Sequence, residues 1–242
     1  MTALEMKYEF LLKADEIGIL SNKSFTDAEI DWLLNDAQLE LIRTRLNQNN
    51  PRGKGLEEDQ KRVEDIKDII IRYSEQPPVQ LIYHSDVNTY ELDLQSLTYR
   101  YYYFLSGRVT QHKDNCNYDA VMRRIRSHNF EDSLKDPFNM SSEEEVLVNF
   151  GRNSQGNGSA IYLYPAPNYT LSTARLSYIK YPKRIHQGTY LNLDGSAVPA
   201  TDCELSELVH PEVVNIAVQK ASVIMKDPLL IQSFQSQLMQ QE

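Results

Sequence analysis

The sequence predicts an α+β protein: an N-terminal helical hairpin, a central antiparallel β-sheet and a C-terminal docking helix. Three observations carry that expectation. Apolar residues recur at helical spacing through residues 1–78. β-Branched and aromatic runs, broken by turn residues, fill 79–202. Helical spacing then returns over 203–242, and the three segments are expected to form one integrated domain.

In the first helix Leu4, Tyr8, Leu11 and Leu12 share helical spacing, running toward Gly18. The second starts at Thr26, a good N-cap whose capping box is completed by Glu29. Ile30, Leu33, Leu34, Ala37, Leu41 and Ile42 mark its apolar stripe, and Asn49-Asn50-Pro51 stops it. Past Gly53 and Gly55, a third helix is expected with Val63, Ile66, Ile70 and Tyr73 on one face, ended by Pro77-Pro78. Its other face alternates charge from Glu57 to Asp68, which reads as a solvated surface.

Val79 to His84 and Thr98 to Gln111 read as strands, the second holding the aromatic run Tyr99 to Phe104. Such a run suits a sheet with aromatic side chains on both faces, one packed inward and one against a neighbour. A short helix is expected from Asn117 to about Asn129, with Ala120, Val121 and Ile125 apolar. Val146 to Phe150, Ala160 to Tyr164 and Arg175 to Tyr181 complete the strands, in an antiparallel arrangement. Pro211 sits where the first turn of a helix tolerates proline, and Val214, Ala217, Val218, Ala221 and Ile224 follow it. After Asp227-Pro228, Leu230, Phe234 and Leu238 recur every four residues among glutamines. With Leu229 they are the candidate residues for docking on another subunit or protein.

Bulk composition narrows the function. The net charge is −9 with 41% hydrophobic and 24% charged residues, ordinary for a globular chain but acidic. An acidic surface repels phosphate, which disfavours nucleic-acid binding while suiting a conduit past which DNA slides. No apolar run approaches the roughly 20 residues that cross a bilayer, and the start of the chain lacks a signal peptide's apolar core, so no membrane partner is expected. Cys116 and Cys203 form no CxxC pair and are expected as free thiols.

The residues offer no catalytic, cofactor-binding or metal-binding set by motif or spacing. Gly151, Gly156 and Gly158 lack the Lys that a phosphate loop places after its last glycine, and so read as a hairpin loop. His112, Asp114, Cys116 and His128 mix ligand types at no zinc-like spacing. Ser154 lies outside any nucleophile elbow, and Glu143-Glu144-Glu145 reads as an exposed entrance to a strand or helical turn.

Three blocks of residues resemble a known group. Leu134 to Phe138, Leu176 to Ile185, and Cys203-Glu204-Leu205 through His210 to Val218 are similar to the ring proteins of crAss-like bacteriophages. The last block also resembles the head-to-tail adaptor proteins of short-tailed phages, and the likeness covers roughly the C-terminal half, from Asp136 onward. It implies a non-enzymatic virion protein that assembles in the host cytoplasm into a connector ring, commonly of about twelve copies. It implies self, portal, and adjacent ring or tail proteins as partners, with DNA passing through without sequence-specific binding. The competing expectations are another virion part, such as a tail-tube or capsid-decorating protein, or a nucleic-acid-processing enzyme dependent on His112 or Asp114.

Overall fold

The computed structural model describes residues 1–16, 25–46, 60–114, 116–125, 130–156, 158–191 and 195–224. The fold is mixed α+β, in two compact units: Met1–Ile69 with Pro182–Glu242, and Ile70–Tyr181.

The first unit is helical. α1 (Ala3–Glu16) and α2 (Asp27–Leu46) precede α3 (Gln60–Ile66), and α5 (His210–Ile224) returns from the far end of the chain. Both long N-terminal helices open on capping boxes. Thr26 N–H donates to Glu29 Oε2 at 2.9 Å, and Thr2 N–H donates to Glu5 Oε2 at 2.7 Å. The first was legible as T-x-x-E; the second carries the same motif. α2 buries the stripe its spacing predicted, Ile30, Leu33, Leu34, Ala37, Leu41 and Ile42. α5 buries Val213, Val214, Ala217, Val218 and Ala221 and packs against α1 and α2. On α1 the expected face is wrong. Met6, Phe10 and Ala14 are buried, while Leu4, Tyr8 and Leu12 lie exposed. Both faces of this helix carry apolar residues, so periodicity alone could not say which one meets α5.

α2 also holds an extended segment by polar groups that no hydrophobic pattern reveals. Asn35 Oδ1 accepts the Ile185 N–H at 2.9 Å, and its Nδ2 donates to Ile185 O at 2.8 Å. One turn earlier, buried Asp31 accepts Gln187 N–H at 3.0 Å, Gln187 Nε2 at 2.8 Å and Tyr190 O–H at 2.8 Å. The i, i+4 spacing puts both side chains on one helix face, where they pair backbone that would otherwise be buried unsatisfied. Burial above all, then the hydrogen bond to Asp31, pushes the Tyr190 phenol up.

Among the described residues the second unit is a nine-stranded sheet. Its order is β1 (Ile70–Ile71), β9 (Thr170–Lys180), β5 (Tyr101–Lys113), β6 (Cys116–Arg124), β7 (Glu145–Arg152), β8 (Ser159–Tyr164), β4 (Thr89–Asp93), β3 (Ile82–His84), with β2 (Val79–Gln80) also on β9. All neighbours are antiparallel except β6 and β7. That parallel pair requires a crossover, which the chain makes through the short α4 (Phe130–Lys135). One face carries the core, including Val109, Ala120, Met122, Val146, Val148, Ile161, Leu163, Leu176 and Tyr178.

Two expected helices are corrected here. Cys116 to Arg124 is a strand, not the start of a helix. Ala120 and Met122 are buried while Asn117, Asp119 and Val121 are exposed, a period of two that β5 and β7 convert into pairing. Residues 126–129 lie outside the described set. The third helix ends at Ile66, a short 3₁₀ turn follows, and Ile70 and Ile71 pair with Ile179 and Tyr178 of β9. Three consecutive isoleucines favour an edge pairing over more helix, because branching at Cβ restricts χ1 in a helix.

Candidate functional site

The residues singled out for chemistry fall in separate places. His112, Asp114 and Cys116 belong to the β5–β6 hairpin, where Asp114 takes a positive φ of 49° and His112 Nδ1 lies 2.5 Å from Asn117 Oδ1. His128 lies outside the described residues. Among the described residues no three His, Cys, Asp or Glu side chains are grouped to hold a metal ion. Both cysteines are free thiols; Cys116 is exposed and Cys203 buried, which pushes the Cys203 thiol up to about 11.

The glycine-rich stretch is the β7–β8 hairpin loop. Asn153 closes it, accepting Gly158 N–H on Oδ1 at 3.0 Å and Gly156 N–H on its carbonyl at 2.9 Å, while Gly156 supplies a φ of 75°. Ser154 N–H donates to Oε1 of Glu91 at 3.0 Å, and His84 Nε2 lies 2.7 Å from Glu91 Oε2. Glu91 is 1% exposed. Burial alone would raise its carboxyl, but the Ser154 N–H and His84 outweigh that and hold it below the ordinary value. The carboxylate is the hub, with serine and histidine on different oxygens. A hydrolytic relay instead places histidine between the other two. This cluster ties β3, β4 and the hairpin loop together.

The aromatic run divides between the inside and the surface. Tyr101 packs on Tyr178 with ring centroids 5.9 Å apart, and Phe104 packs on Phe150 at 5.4 Å. Burial raises the Tyr101 phenol to about 12. Tyr99 and Tyr103 remain exposed. Register shifts between Tyr101 and Tyr103, and between Phe104 and Ser106, break the simple alternation and set which rings turn inward. Gly107 is small for a reason: a Cβ there would meet Met122 Sδ and stand 2.9 Å from Leu176 Cδ2.

What remains open is contact surface. On the sheet face away from the core, a groove of about 260 Å³ is lined by Tyr73, Arg108, Thr110, Tyr118, Asp119 and Arg175, among others. Arg108 and Arg175 stand directly opposite each other across β5 and β9. Arg108 pairs with Asp119 at 3.0 Å and lies 5.7 Å from the Tyr73 ring centre. Elsewhere, Leu4, Tyr8 and Leu12 on α1, Ile82 and Tyr83 on β3, and Phe138 beyond α4 are exposed. The expected acidic run is exposed too; Glu145 opens β7 and pairs with Arg123 at 3.1 Å. The candidate docking residues Leu229, Leu230, Phe234 and Leu238 lie outside the described residues.

The mixed α+β frame leaves several large apolar and aromatic side chains open on its surface, among them Leu4, Tyr8 and Leu12 on α1. The chain belongs to the family of phage tail ring proteins 3/4 of crAss-like phages, which it matches over residues 1–228. No curated protein matches it. The family makes the chain a structural component of the virion. Among the described residues no helix is long and apolar enough to cross a membrane.

Proposed function

We propose that the protein forms a head-to-tail connector ring of about twelve copies beneath the portal, extending the DNA channel toward the tail. Membership of the tail ring family over residues 1–228 carries the reading. The resemblance of the Cys203 to Val218 block to head-to-tail adaptors points to this end of the tail. In this role the portal protein and the adjacent ring or tail proteins are its partners. The protein acts by holding surfaces together rather than by turning over a substrate. Twelve copies at −9 each surround the channel with net negative charge, which keeps phosphates moving instead of trapping them. The last residues, with Leu229, Leu230, Phe234 and Leu238, serve as the docking tail toward the portal or a neighbour.

Electron micrographs of the purified protein, alone and mixed with portal assemblies, test this. Closed rings that cap the portal are the expected result. A solitary molecule that ignores both portal and tail proteins overturns it.

A further inference from the structure

Phe138 is 96% exposed, the most open of the large apolar side chains among the described residues. The backbone that carries it is pinned. Just past α4, Asp136 Oδ1 accepts the Phe138 N–H at 3.0 Å, Oδ2 accepts Asn139 Nδ2 at 2.5 Å, and the Asp136 carbonyl accepts the Met140 N–H at 2.9 Å. Pro137 fixes its own φ, and Arg123 Nη2 on β6 donates to Asn139 O, tying the turn to the sheet. The Phe138 N–H and Asn139 together hold the Asp136 carboxyl below its ordinary value, so it is ionised at neutral pH. An ordered turn that presents a phenyl ring to water, with a carboxylate beside it, has the chemistry of an interface anchor.

The groove on the open sheet face offers the matching half. Tyr73 gives it an aromatic wall, and Arg108 and Arg175 bring two guanidinium groups. Like charges directly opposite across a strand pair repel. Asp119 relieves Arg108 at 3.0 Å, while Arg175 has no ion pair among the described residues. The groove's volume of about 260 Å³ accommodates an aromatic ring, since a cavity of about 150 Å³ already admits benzene. A ring seated beside guanidinium groups gains cation–π attraction, and a carboxylate arriving with it supplies the counter-charge that Arg175 lacks.

We propose that Phe138 and Asp136 of one copy seat in the Arg108–Arg175 groove of the next copy. This rests on the ring reading above and names a contact that builds the ring. Knob and groove are different surfaces, so the contact is heterologous and closes when its rotation permits.

Two variants of the full chain test it by mass photometry and electron microscopy: Phe138→Ser, which cannot donate, and Arg108→Glu with Arg175→Glu, which cannot accept. Both sites are exposed, and an unchanged thermal melt confirms that each variant folds. Each alone is expected to assemble about thirty-fold more weakly or worse, the loss typical of a hot-spot truncation. Mixed together they are expected to form pairs that grow no further, because one knob and one groove remain usable between them. Wild-type rings with unimpaired Phe138→Ser rings, or a mixture that stays unpaired, overturn the contact while leaving the ring reading intact. A wild-type chain that never assembles overturns both.

Discussion

Arg45 joins three helices in the helical unit. It is 5% exposed, its Nε donates to Asp65 Oδ2 at 2.8 Å on α3, and its Nη2 donates to both oxygens of Glu212 at 2.7 Å on α5. Removing one partner of a buried pair leaves the others charged and unpaired, so Arg45→Met is expected to cost about 3–5 kcal/mol in urea unfolding. Replacing Arg45, Asp65 and Glu212 together by apolar residues is expected to recover most of that loss, because no buried charge is then stranded. His210 has a different dependence. Its Nε2 lies 2.9 Å from Leu205 O, while buried Nδ1 has no hydrogen-bond partner among the described residues. Burial first of all lowers its pKa from 6.5, with the N-terminal ammonium adding to that; the Leu205 carbonyl, Glu207 and Asp202 oppose it. Between the lowered folded value and 6.5 the unfolded chain binds more protons than the folded one. Stability from this group is therefore complete above about pH 6.5 and lost as the pH falls through the folded value. His210→Gln is expected to flatten that part of the urea-midpoint profile. Neither arrangement was legible in the sequence: Arg45 finds its partners 20 and 167 positions away.

At the scale of elements, local signals succeed where one neighbour dominates. The Thr26 capping box, the α2 stripe and the proline-tolerant start of α5 depend on residues within a few positions, and each is realised. They fail where partners compete. The 117–124 segment has apolar residues compatible with either period, and pairing with β5 and β7 makes it a strand. Asn35 shows how a side chain can substitute for a missing strand, binding both backbone groups of Ile185. Asn35→Ala leaves those groups unpaired in a half-buried site, with an expected cost of about 1–3 kcal/mol. Hydrogen exchange should show the Ile185 amide losing protection while amides in the sheet unit keep theirs.

At the scale of the whole molecule, the end of the chain bears on assembly more than on folding. Within the described residues α5 spans His210–Ile224, with buried residues from His210 to Ser222. If the residues after Pro228 serve docking, deleting Leu229 to Glu242 is expected to leave the thermal melt in place and weaken ring formation, read by electron microscopy; collapse of the fold would show that these residues belong to the core. The sequence by itself determined the α+β class, the main helices and most strands, the acidic charge, and a resemblance confined to short blocks, because these follow from neighbouring residues and composition. Phe138 lies within one of those blocks, yet nothing in Leu134 to Phe138 says that its ring faces water. Only the tertiary structure decided which face of α1 is covered, that β6 pairs in parallel with β7, and that Arg108 meets Arg175. The reason is physical: exposure and charge opposition depend on which distant strand or helix arrives alongside, and no local period encodes that choice.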